Sequence, residues 1–163
     1  MRTRRLPTAV VVTGAIGVIG WASVALSSGA STNTNVGRQA FKTLPDPVVL
    51  TSTEYTRVDG LDGLTLTNAR GGVTASVSVN VTGGAVDIRV RIGNDGPLLN
   101  PENARFDALE GGGAFSFTFV RPVIPPCAVL TVEARSADGA AVTLEDGNLT
   151  ALFRRLKPDR GCV

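Results

Sequence analysis

The sequence predicts an all-β protein, a β-sandwich of immunoglobulin-like or jelly-roll type, preceded by an N-terminal signal peptide or signal anchor helix. Three observations carry this. From Val73 to Val81, and again from Val86 to Ile92, apolar and polar residues alternate with a period of two, which marks strands with one buried face. Phe115, Phe117 and Phe119 share one face of a third segment, Ala114 to Val120, whose other face carries Ser116 and Thr118. Gly- and Asp-rich turn signals at 59–63, 82–84, 138–139 and 146–147 separate about eight short segments of this kind, the spacing of a sandwich. A chain of 163 residues fits one such domain.

The N-terminus reads as an export segment. Arg2, Arg4 and Arg5 precede an apolar stretch from Ala9 to Leu26, and the small residues Ser28 and Ala30 follow it, so cleavage is expected after Ala30. Eighteen residues stand at the lower limit for a bilayer-spanning helix, so an uncleaved single-pass anchor through residues 9–26 is the alternative. All three arginines lie before the apolar stretch, which keeps Met1 inside and directs the remainder outward in either case. The run Thr13-Gly14-Ala15-Ile16-Gly17-Val18-Ile19-Gly20 resembles a nucleotide-binding turn only in its glycines. No strand precedes it, and no acidic residue stands about twenty positions further on.

Residues 1–30 are thus expected to be signal or anchor, 31–47 a polar linker rich in Ser, Thr, Asn and Gly, and 48–163 the sandwich. Within the sandwich, strands are expected at 48–58 and 64–67. Val73–Val81 and Val86–Ile92 are expected to pair as a hairpin through the loop Thr82-Gly83-Gly84. Residues 104–110 are ambiguous, since Asn100 and Pro101 can open a helix, but Ala104, Phe106 and Ala108 alternate and favour a strand. Further strands follow at 114–120, 128–135, 141–144 and 149–153.

Cys127 and Cys162 are the only cysteines. An exported chain with two pairs them most simply, and the bridge would close a loop of about 35 residues and tie down the C-terminus. There is no C-x-x-C and no histidine to activate a thiol.

The missing histidine excludes Ser-His-Asp and Cys-His catalysis and the common zinc and copper sites. A hydrolase using two carboxylates is the minor alternative, with Glu54, Glu102, Asp107 and Glu133 as candidates, although Glu54 and Glu133 read as residues of a solvated strand face. Asp59-Gly60-Leu61-Asp62 and Glu145-Asp146-Gly147-Asn148 hold oxygen ligands without the spacing of a calcium loop and read first as turns. With one tyrosine and no tryptophan after residue 30, Tyr55 makes a poor sugar platform.

Removing residues 1–30 takes away three of the sixteen basic residues and none of the fourteen acids, leaving a net charge of −1. The pI of about 8.8 belongs to the precursor, and no nucleic-acid footprint remains. One basic cluster, Arg154, Arg155, Lys157 and Arg160, points to contact with an anionic envelope polymer or an envelope protein. The functional expectation is a non-catalytic, exported sandwich, without cofactor or metal, that has a structural or binding role at the cell envelope or outside the cell. The alternative is a membrane-anchored accessory or sensor domain.

Overall fold

In the computed structural model the described residues are 34–36, 39–107 and 112–155. They form two antiparallel sheets, with no helix among the described residues. Sheet A contains β1 (Thr34–Val36), β2 (Gln39–Thr43), β3 (Val48–Leu50), β6 (Ala69–Thr82), β9 (Gly113–Arg121) and β11 (Val142–Arg155), in the order β1-β2-β11-β6-β9, with β3 also on β11. Sheet B contains β4 (Thr56–Arg57), β5 (Leu64–Leu66), β7 (Ala85–Ile92), β8 (Ala104–Asp107) and β10 (Ala128–Ser136), in the order β4-β10-β7-β8, with β5 also on β10.

The alternation in the sequence decides which side chains lie between the sheets. Val73, Ala75, Val77, Val79 and Val81 are buried from sheet A, and Val86, Ile88, Val90 and Ile92 from sheet B. Three phenylalanines join the layers. The Phe106 ring on β8 packs edge-on against Phe115 and Phe117 on β9, with centroid separations of 4.7 and 4.3 Å. Such edge-to-face contacts add to the gain from burial. The segment 104–107 is the strand that the alternation favoured.

The expected hairpin does not form. β6 pairs with β11 and β9, whereas β7 pairs with β10 and β8, so Thr82-Gly83-Gly84 carries the chain from one sheet to the other. Period-two patterning assigns a buried face to each strand but names no partner, and two strands with apolar faces can meet across the core as well as side by side. The crossing depends on Gly83, where φ is +95° and an added Cβ would stand 2.5 Å from the Ala141 carbonyl oxygen.

Two further differences concern β11 and the linker. The expected strands at 141–144 and 149–153 are one strand, and the Asp146-Gly147 turn between them is a bulge with Asp146 at φ +47°. At this bulge β11 changes neighbour, from β3 at Val142–Leu144 to β2 at Asn148–Leu152. The segment 31–47 is partly strand, since β2 pairs with β11 and Ala40 and Leu44 are buried in the core. A bulge uses the same residues as a turn, and polar composition alone does not separate a linker from an outer strand. The expected strand at 48–58 is two short strands, one in each sheet, joined by an irregular loop. The apolar stretch 9–26 and Ala30 lie outside the described residues.

Candidate functional site

The outer faces of the two sheets differ in charge. On sheet B, Asp87, Arg89 and Arg91 of β7 stand opposite Arg135, Glu133 and Thr131 of β10, with Arg105 of β8 on the other side of Asp87. Register therefore sets acids against bases. Arg89 Nε and Arg91 Nε both donate to Glu133 Oε2, at 2.6 and 3.1 Å, and Arg135 Nε donates to Asp87 Oδ2 at 3.0 Å. Loop 51–55 folds over this grid. The Ser136 amide donates to the Ser52 carbonyl at 2.9 Å, and the Tyr55 ring lies 3.8 Å from the Arg89 guanidinium and 4.6 Å from that of Arg135.

Glu133 is consequently only 7% exposed, not a residue of a solvated face as its outward position suggests. The face is outward with respect to the sheet, but Tyr55 and the loop lie against Arg89 and Arg135 on either side of Glu133 in the grid. Glu133 is held by two guanidiniums, Asp107 is paired with Arg105 at 3.2 Å, and Glu54 and Glu102 are exposed residues of separate loops. Tyr55 is occupied by its two arginines. Sheet B thus neutralises most of its own charge, Arg57 being its one strand arginine that makes no ion pair among the described residues.

Sheet A differs. Its registers align three rows across β2, β11, β6 and β9: Gln39, Leu152, Thr74 and Val120; Phe41, Thr150, Ser76 and Thr118; Thr43, Asn148, Ser78 and Ser116. None of these residues is charged, and all are exposed or half-buried. Neighbouring strands lie about 4.8 Å apart and same-face residues about 6.7 Å apart along a strand, so the hydroxyls form a regular plateau. Ser76 and Thr118 share a hydrogen bond of 3.2 Å, and Ser78 donates to Ser116 at 2.8 Å. Each hydroxyl retains further donor or acceptor capacity toward a ligand.

At one end the plateau drops into a depression of about 700 Å³ lined by residues that include Gly72, Thr74, Val120, Pro122, Leu152 and Arg154. Val120 and Leu152 are 45% and 53% exposed, which makes its surface apolar. Gly72 allows the approach of β9, because a Cβ there would stand 2.6 Å from the Arg121 carbonyl oxygen. Arg121 also lines the depression, and its Nη1 donates to the Leu98 carbonyl at 3.0 Å.

Of the basic cluster expected from the sequence, Arg154 is exposed at this depression and Arg155 lies at the end of β11, while Lys157 and Arg160 lie outside the described residues. Arg70, which sequence reasoning missed, stands directly opposite Arg154 in the ladder. Only the register brings them together, since they are 84 positions apart. Cys127 is exposed just before β10 and Cys162 is outside the described residues, among which there is no free cysteine.

The two oxygen-rich segments serve the backbone. The Leu61 and Asp62 amides donate to the Val58 carbonyl, the Asp62 carbonyl accepts from Lys42, and Asp146 accepts from Asn80 Nδ2 at 3.1 Å. Among the described residues no group of three or more His, Cys, Asp or Glu is placed to hold a metal ion.

No family model matches the chain, and no curated protein matches it. In structure it is similar to CsCBM6-3 from Clostridium stercorarium, solved in complex with cellobiose, at 15% identity over 74% of this chain and 71% of that one, with a TM-score of 0.30. It is also similar to dimeric latent PorU from Porphyromonas gingivalis, at 14% identity and a TM-score of 0.38, over 83% of this chain but only 14% of that one. At scores this low, what the surface binds has to be decided from this chain's own residues.

Proposed function

We propose that this protein is an exported, non-catalytic β-sandwich that binds an extended, hydroxyl-rich polymer of the cell envelope along the outer face of sheet A. Residues 1–30 serve as its signal, and a Cys127–Cys162 bridge ties its C-terminus to the start of β10. The observation that carries the reading is the uncharged plateau of three cross-strand rows, set against a sheet B that holds every ion pair found among the described residues. Hydroxyl and amide side chains match a ligand that itself presents many hydroxyls, and Phe41, Val120 and Leu152 supply apolar contact for the C–H faces of sugar rings. A non-catalytic role is supported by the engagement of Glu133 with two arginines and by the separation of Glu54 and Glu102 on different loops.

The test is affinity electrophoresis of the purified chain through dextran, pullulan, xylan and polygalacturonate. At least one polymer should retard it, and Ser76→Arg, which places a long charged side chain in the middle of the plateau, should abolish the retardation without changing the melting temperature. Unretarded migration through all four polymers would defeat the reading.

A further inference from the structure

We infer that the depression beside Arg154 is a subsite for a negatively charged sugar residue of the uronate type, terminating the polymer-binding face; the inference rests on the polymer-binding reading above. Arg154 on β11 and Arg70 on β6 are direct partners in the ladder, and both are exposed. Directly opposed residues in an antiparallel pair project from the same face with Cβ atoms about 5 Å apart, and like charges in that position repel. On sheet B four of the five strand arginines are paired with a carboxylate, Glu133 for Arg89 and Arg91, Asp87 for Arg135 and Asp107 for Arg105, and the fifth, Arg57, stands opposite Glu133 in the ladder. Arg70 and Arg154 make no ion pair among the described residues. Two directly opposed arginines with no carboxylate paired to them among the described residues form a site complementary to an anion.

The surroundings narrow the anion to one carried on a ring. Beside Arg154 the surface is apolar, formed by Val120, Leu152 and Pro122, with the Thr74 side chain at the edge toward the plateau. A bare inorganic anion gains nothing from such a surface. A sugar acid uses all of it: its C–H face covers the valine and leucine, its hydroxyls continue the hydrogen bonding of the plateau, and its carboxylate meets the planar fork of Arg154, which suits bidentate recognition. The bulge at Gly71 and Gly72 shapes the place. It shifts the β6 register so that Phe153 faces Val73 while Arg154 faces Arg70, and the Ile124 amide closes onto the Gly71 carbonyl at 2.8 Å.

The experiment is calorimetric titration of the purified chain with polygalacturonate and with pullulan, a neutral chain, followed by the same titrations of Arg154→Gln, Arg70→Gln/Arg154→Gln and Leu152→Asp. The intact chain is expected to bind polygalacturonate at least about tenfold more tightly than pullulan, with an advantage that shrinks as salt is raised. Arg154→Gln should remove about fivefold or more of that affinity, the double variant more, and Leu152→Asp the most, with pullulan binding changed less than about twofold by the arginine substitutions. Thermal melts of each variant confirm folding. Equal binding of the two polymers, or polygalacturonate binding insensitive to all three variants, overturns the subsite while the polymer-binding reading stands. Binding to neither polymer, when another polymer retards the chain, also overturns the subsite alone. Binding to no polymer removes both. Association with phosphatidylglycerol vesicles in place of either polymer overturns the inference in favour of a membrane surface.

Discussion

Glu133 and Arg89 face one another across the β10–β7 ladder, with Arg89 Nε donating to Glu133 Oε2 at 2.6 Å while Arg91 reaches the same oxygen at 3.1 Å. One carboxylate therefore compensates two guanidiniums, of which that of Arg89 lies against the Tyr55 ring. Replacing it with glutamine leaves both without a counter-charge. Breaking a buried pair costs roughly 3–5 kcal/mol, and since both arginines retain some solvent contact, Glu133→Gln should lose about 2–3 kcal/mol in urea unfolding. A loss below about 0.5 kcal/mol, the usual limit for surface substitutions, would show that the pair is not structural. The carboxylate-hydrolase alternative is then tested at Glu54 and Glu102, which are exposed on loops and free of this complication.

Phe106 joins the two sheets through Phe115 and Phe117. Truncation to alanine opens a cavity and should cost about 3–5 kcal/mol, with Phe106→Leu costing visibly less. Denaturant titration of both variants checks this. Equal losses for leucine and alanine would mean that the cost follows the lost ring contacts and not the cavity volume, against the cavity account.

Asp138 closes the turn between β10 and β11. Its carboxyl is held below the ordinary aspartate value, first by the Ala140 amide donating to Oδ1 at 3.0 Å and then by the Ser136 hydroxyl at 3.1 Å. Because folding lowers this pKa, its contribution is present above the unfolded-state value, about 3.9, and is lost as pH falls through the folded-state value. The melting temperature of Asp138→Asn should lie below that of the parent at neutral pH and converge with it in strong acid. A gap that stays constant down through that range would contradict the assignment.

The proposed Cys127–Cys162 bridge predicts no free thiol in the denatured, non-reduced chain, and a loss on reduction of about 3–4 kcal/mol from a closed loop of about 35 residues. Two titratable thiols would rule it out.

Export makes a separate prediction. N-terminal sequencing of the protein recovered from the medium should begin at Ser31. A chain recovered only from membranes with Met1 intact would favour the anchored alternative.

Much of the fold could be read from short stretches of chain. Val77 and Ile88 point inward because their neighbours on either side are polar, a property that requires no knowledge of the rest of the protein. The pairing of β6 with β9 and β11 in place of β7 could not be read in this way. Ladder partners are chosen among all strands at once, and a glycine loop serves a hairpin and a crossing between sheets equally well. Asp146-Gly147 failed for a related reason, since positive φ is required by a turn and by the bulge that forms here. The candidate site was legible only at Arg154. The plateau is mostly Thr, Ser, Asn and Gln residues, with Phe41, Val120 and Leu152 among them, that look, one strand at a time, like an ordinary solvated face.

The sequence by itself determined which residues face the core, that no histidine-based chemistry is possible, and where most strands lie. Those properties follow from local periodicity and composition. Tertiary structure alone decided that Glu133 is buried between Arg89 and Arg91, that 39–43 joins sheet A, and that Arg70 and Arg154 stand side by side with no ion pair among the described residues. Each of these depends on register between strands far apart in the chain, and register is set when the two apolar faces close on one another.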